Sequence, residues 1–436
     1  MRVPLKKRTA IVFASVIGLL LFALILNRVF IRPSGKVPAG ALNLSTHQNI
    51  EDFFKAYWQR PIHPQGQSPG SFSEQEARLD PEACGSCHPK QYTDWKESFH
   101  SKAMGPGPWG QIVELSRNSP EEAILCMTCH APLGEQIPWL TANAVAQDKG
   151  YAKNPAYDPK LQLQGITCAA CHVRQHQRFG PPKAEGTAAP TYPAGIANHG
   201  GVERTPYFEK AEFCRDCHQF DPENTALVNG KPLQDTYREW LSSIWGKGEA
   251  SCQECHMPHR RHLWKGIHDA EWVKGAVRFA AEIRQELSGP KKTLEINVDL
   301  INAAVGHKFP TYITPKVFVR AALLDIGGKI LPGTQQERVI GWDVRFEDGQ
   351  WKEYFDTRIA PGEKFQASFS WSPPSQARKI RAWVEVHPDH FYHHHFYPAY
   401  LADPSLSPAS KKLIEKALQE SGRTPYLLFD RLVHLK

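Results

Sequence analysis

The chain has 436 residues, enough for two or three domains, with a formal net charge of +7, ten cysteines and twenty histidines. Seven basic residues before position 50 (Arg2, Lys6, Lys7, Arg8, Arg28, Arg32 and Lys36) supply that whole surplus, because no Asp or Glu occurs there. The body is therefore neutral, which argues against nucleic acid as a partner; the basic end is better matched to anionic lipid headgroups.

In chain order, MRVPLKKR is followed by an uncharged apolar run from Ala10 to Leu26, extended by Val29-Phe30-Ile31. That is near the roughly 20 residues that cross a bilayer. A cleavable signal has a shorter apolar stretch and a nearby small-residue cleavage site, and VPAGA, ending at Ala41, is distant. The reading is an uncleaved N-terminal transmembrane helix, with residues 1–35 as anchor and linker start. Residues 36–80 read as linker and one short helix, in which Phe53, Phe54, Tyr57 and Trp58 share a helical face.

Residues 81–290 carry the chemistry. The ten cysteines form five pairs, Cys84/Cys87, Cys126/Cys129, Cys168/Cys171, Cys214/Cys217 and Cys252/Cys255, and each pair is followed by a histidine: His88, His130, His172, His218 and His256. A disulfide framework does not require that histidine, and five zinc ribbons would not all show it. C-x-x-C-H is the attachment motif of c-type haem: two thiols bond to the porphyrin edge and the next imidazole ligates iron. Five c-type haems (haem c) follow. With about forty residues between neighbouring motifs, no haem has an ordinary core of its own, so the porphyrins must form much of the interior. Because c-type haem is attached outside the cytoplasm in bacteria, the body is expected on the periplasmic side of the inner membrane, held by a single span.

A haem that only carries electrons usually takes a second protein ligand, whereas a catalytic haem leaves that face open. His100, in YTDWKESFHSKAM, leads the distal candidates. His262 and His268 lie in RRHLWKGIHD, and either could cap a haem other than the one held by Cys252 and Cys255. His259 follows Pro258, too near its proximal neighbour, and reads as surface. His199 has small neighbours that would let a porphyrin approach. His176, four residues after His172, starts on the proximal side and is left open. His307, in AAVGHKFPT, could ligate or hydrogen-bond if its domain docks on the haems. The run HPDHFYHHHFY at 387–397 reads as a polar, aromatic rim beside a haem; no acid or cysteine set gives it a metal geometry.

Residues 269–287 show a helical apolar face. From 291 to 400 the sequence turns to β-formers with turn signals at DIGGK and EDGQW, an antiparallel β-sandwich. Residues 401–436 read as a helical tail around Ser407–Ser421. The fold class expected is α+β.

CGSCHPKQYTDWKESFHSKA, CQECHMP followed by HLWKGIHD, and VGHKFPT before β-strands resemble the multihaem cytochromes related to cytochrome c554. The third element is similar to a Gly-His-x-x-Pro-Thr-Gly turn of that family, but Tyr312 stands where its last glycine would be. The resemblance implies periplasmic electron transfer, mostly bis-histidine haems in stacked pairs, and a mainly helical haem domain. It covers carriers and also enzymes acting on small nitrogen or sulfur compounds. The expected function is a membrane-anchored conduit between a quinol-linked membrane partner and periplasmic redox proteins. The alternative is an oxidoreductase of nitrite, hydroxylamine or sulfite at one open haem, although no C-x-x-C-K motif occurs.

Overall fold

A computed structural model describes residues 49–141, 151–183, 200–221, 225, 227–286, 293–347 and 349–435. The expected membrane anchor and His199 lie outside them. No helix among the described residues is long and apolar enough to cross a membrane.

The first half is helical and loop-rich. Helix α1 (Ile50–Tyr57) starts at Asn49, whose side chain accepts from the Asp52 amide. It buries Phe53, Phe54 and Tyr57 against Phe179 and Phe208. Every paired-cysteine motif sits in or at the end of a short helix: α2 (Pro81–Gly85), α5 (Pro120–His130), α6 (Cys168–His172), α7 (Glu212–His218) and α9 (Cys252–His256). One helical turn places positions i, i+3 and i+4 on the same side, so both thiols and the imidazole of a motif converge. Between these lie α3 (Pro89–Glu97), α4 (Pro106–Asn118) and α8 (Thr236–Ser242).

Helix α10 (Ala270–Ala276) begins the second half, and the helix expected over 269–287 stops there. Strand β1 (Val277–Glu286) follows and pairs along its whole length with β2 (Thr293–Asn302). The reason is visible in the residues. Val277, Phe279, Ala281 and Ile283 also alternate with Arg278, Glu282 and Arg284, so a period of two fits as well as a helical period, and pairing with β2 decides between them.

The other strands of this second half are β3 (Lys316–Leu324), β4 (Gln336–Glu347), β5 (Gln350–Asp356), β6 (Lys364–Trp371), β7 (Lys379–His387) and β8 (Tyr426–His434). They form a five-stranded antiparallel sheet, β5-β4-β3-β7-β8, and a three-stranded one, β6-β2-β1. Leu294, Ile296, Val298 and Leu300 of β2 meet Val317, Val319, Ala382 and Val384 of the larger sheet in one core.

The expected helical tail is corrected by β8, which pairs with β7 across the sheet edge. Before it, α11 (Pro408–Ser421) packs on α4. Gly110 allows this approach: a Cβ there would stand 2.8 Å from Ile414 Cδ1. Ser410 Oγ donates to the Gly110 carbonyl at 2.6 Å. The tail thus clasps the helical half before it completes the sandwich.

Candidate haem-binding site

All ten cysteines, each a free thiol, line one connected cavity of 2170 Å³. An ordinary ligand pocket is about 300–1,000 Å³, so this space suits several large flat groups. Nine histidines share its wall: His88, His100, His130, His172, His218, His256, His262, His268 and His307. Paired thiols with an adjacent imidazole, repeated around an apolar interior, are the donor set of covalent haem. When bound, haem supplies a reversible one-electron change at iron; the chain supplies ligands, spacing and a dry surround.

The spacing of the imidazoles is the decisive geometry. Two imidazoles on opposite faces of one metal, at about 2.0 Å per bond and roughly 1.2 Å from nitrogen to ring centre, stand about 6.4 Å apart. Three pairs meet this distance: His172 with His262 at 6.2 Å, His218 with His100 at 6.3 Å, and His256 with His307 at 6.4 Å. In each pair one member follows a cysteine pair and the other comes from a different part of the chain.

The protonation of these rings suits ligation. Burial pushes His172 and His218 down to about 4 and His100 to about 3; His256, His262 and His307 are also lowered by burial. All are neutral at pH 7. A backbone carbonyl accepts from Nδ1 in four of them: Phe179 for His172 (2.8 Å), Lys265 for His256 (2.7 Å), Arg260 for His262 (3.1 Å) and Lys308 for His307 (2.9 Å); Ala103 makes the same contact with Nδ1 of a seventh ring, His130 (2.8 Å). A carbonyl only accepts, so Nδ1 carries the proton and Nε2 is left with its lone pair for a metal. In His100 it is Nδ1 that is buried without a partner.

Other candidates are placed differently. His176 does not line the cavity: its Nε2 lies 3.0 Å from the Gly66 carbonyl and its ring meets Phe72 edge-on. The structure does not bring it to a haem position. His268 reaches the cavity wall, but its Nε2 lies 3.1 Å from both Asp389 oxygens. The histidines of the 387–397 run lie off the cavity, His390 and His394 with ring centres 4.5 Å apart, while Asp389, Tyr392 and Tyr397 face inward. Tyr312 lines the cavity too, with φ of 42°, the left-handed region that favours glycine.

Sequence reasoning passed over two supports. Trp264 stands between distal candidates, 4.5 Å from His100 and 5.1 Å from His262, ring centre to ring centre. Buried Asp94 accepts from the His262 amide at 3.0 Å and from Arg261 Nε at 2.7 Å. Trp264 lies inside HLWKGIHD, where its two histidine neighbours signal it, but nothing in the sequence ties Asp94 to a segment so far along the chain.

Thiols of different motifs also approach one another. Cys84 interacts directly with Cys168, Cys129 with Cys217, and Cys214 with Cys252, and Cys171 lies close enough to influence Cys214. Cys87 and Cys255 are the exposed members of the set.

Residues 83–173, which hold the first three motifs, match the family described as cytochrome c554 and c-prime. That segment is therefore similar to the cytochrome c554 family, over about a fifth of the chain. A curated relative, cytochrome c-552 of Aliarcobacter butzleri (strain RM4018), is 25% identical over 194 residues, 44% of this chain and 37% of the relative. The match thus spans well under half of that relative's length. The crystal structure of a penta-heme cytochrome c552 from Thermochromatium tepidum aligns with a TM-score of 0.55 and 18% identity, covering 83% of this chain and 100% of that one. That likeness shows a shared fold extending over both the helical half and the sheets.

Proposed function

We propose that the cytochrome is an electron relay of five haems, attached at Cys84/Cys87, Cys126/Cys129, Cys168/Cys171, Cys214/Cys217 and Cys252/Cys255, held at the inner membrane by its N-terminal segment and working on the periplasmic side. The carrying observation is the set of three histidine pairs at trans-axial distance. Two protein ligands per iron close the metal to substrate, and suit electron transfer without bond making. The thiol contacts support an order of first, third, fourth and fifth haem, with the second branching from the fourth. Both ends of that order carry an exposed cysteine, which suits exchange with a quinol-linked membrane partner at one end and a periplasmic redox protein at the other. Low-temperature EPR of the oxidised full-length protein, with cell fractionation, tests this. Low-spin signals throughout and recovery in the membrane fraction are expected; a soluble cytoplasmic protein, or high-spin iron at most sites, overturns it.

One observation favours a second reading, an oxidoreductase with one open haem. The ninth cavity histidine, His268, is held by Asp389 instead of being presented freely to iron. A high-spin signal that shifts on adding nitrite, hydroxylamine, sulfite, cyanide or carbon monoxide supports that reading.

A further inference from the structure

His307 comes from the sandwich, yet its imidazole lies 6.4 Å from that of His256 with the ring planes only 7° apart. The loop that carries it is tied from both sides. On the sandwich side, fully buried Asn302 donates to the carbonyls of His307 at 3.0 Å and Ile359 at 3.1 Å, and accepts from the Val305 amide at 3.0 Å. Phe309 and Ile359 exchange two backbone hydrogen bonds of 2.9 and 2.8 Å. On the helical side, Oε2 of Glu239 in α8 accepts from the Lys308 amide at 3.2 Å and from Thr311 Oγ1 at 3.3 Å. Its other oxygen accepts from Arg358 Nη1 at 2.9 Å. Asp356 holds the remaining edge of that guanidinium at 2.8 and 2.9 Å. The side chains of Arg358 and Glu239 are 1% and 5% exposed.

A buried ion pair is a poor source of stability, because desolvating both charges offsets their attraction; its value lies in fixing one arrangement. Here the arrangement fixed is the backbone that follows His307, at Lys308 and Thr311, while Asn302 holds the residues before it. Gly306 adds to this: a Cβ there would stand 3.3 Å from Trp240 Cδ1 and 3.6 Å from Trp245 Cβ, so the loop is seated closely on α8 and the helix after it. We infer that the Glu239–Arg358 pair is a positioning clamp that sets His307 against the haem held by Cys252 and Cys255, so that docking of the sandwich determines the axial bond and potential of that one haem. Glu239 and Arg358 act through His307 and touch no iron. The inference rests on the reading of His256 and His307 as axial partners.

The test uses full-length, haem-loaded protein in four variants, His307→Ala, Glu239→Ala, Glu239→Gln and Arg358→Lys, each followed by EPR and a redox titration. His307→Ala should replace one low-spin signal by a high-spin one. Glu239→Ala should move the same signal, with loss of most of its intensity or a shifted potential, and leave the others in place. Glu239→Gln keeps an oxygen for Lys308 and Thr311 and Arg358→Lys keeps the charge, so both should lie between wild type and Glu239→Ala. If His307→Ala leaves every low-spin signal intact, the axial pairing is wrong and the clamp falls with it. If His307→Ala acts as expected while the folded Glu239 and Arg358 variants leave that signal and its potential unmoved, the clamp alone is overturned. Should Glu239→Ala not fold, the Gln and Lys variants decide by the same criterion.

Discussion

The imidazole of His262 stands 6.2 Å from that of His172, ring centre to ring centre, although the two belong to different haem segments. His262 follows the fifth motif and His172 closes the third, so on the proposed reading one stretch of chain would ligate at one haem and reach to another. Asp94, beside the first motif, holds the His262 amide and Arg261 in place. His262→Ala should therefore convert the third haem to high spin. Asp94→Asn, which keeps one acceptor oxygen and loses the charge, should shift the same signal by less. Magnetic circular dichroism of the two variants checks this; an unaltered spectrum in His262→Ala removes it as a ligand.

On the proposed reading, the closeness of these thiols would make the haem held by Cys214 and Cys217 a junction. Cys214 lies against Cys252 and near Cys171, and Cys217 lies against Cys129. Replacing Cys214 and Cys217 by Ser should lower the haem count by one and slow electron equilibration between the two ends by orders of magnitude, because tunnelling falls steeply with distance. Replacing Cys126 and Cys129 should lower the count equally but leave that rate nearly unchanged. Haem-linked mass and flash-photoreduction kinetics report the two quantities; equal slowing in both pairs would remove the junction.

His268 offers a contrast with the other cavity histidines. Its Nε2 faces the Asp389 carboxylate and its ring lies 4.2 Å from that of Phe99. His268→Ala should leave all low-spin signals in place while Asp389 loses its partner. Loss of a low-spin signal in this variant would show that His268 turns to iron once haem is attached.

Much of the site was legible because covalent haem attachment has a strict local spacing, and a short helix turns that spacing directly into geometry. His100, His262 and His307 could be nominated, but their partners could not, since each pair joins distant segments through the fold. His176 shows the limit: it sits at a turn, with φ of 50° at Gln175 and 62° at His176, and its ring meets the Gly66 carbonyl and Phe72 instead of the cavity, which no spacing from His172 foretells. The 277–286 strand was missed for a related reason. Its pattern satisfies two periods, and only the partner strand selects one.

Glu122 gives a prediction about pH. It lies in the first turn of α5, is 6% exposed, and burial with repulsion from Glu121 pushes its carboxyl up to about 7. The ordinary value is 4.5. A folded-state value above the unfolded one means the native state keeps its proton longer. Stability is therefore unaffected below the ordinary value, falls as pH rises from there to about 7, and levels off above it. Each tenfold change in proton affinity is worth about 1.4 kcal/mol, so the full penalty is roughly 3 kcal/mol at most. Water at the helix end screens part of it. Glu122→Gln cannot ionise, so its denaturant midpoint should exceed that of wild type at pH 8, by about 2 kcal/mol when converted, and the two should converge near pH 4.5. Equal midpoints at both pH values would mean that Glu122 is already ionised at neutral pH, with the helix N-terminus and local water stabilising its charge.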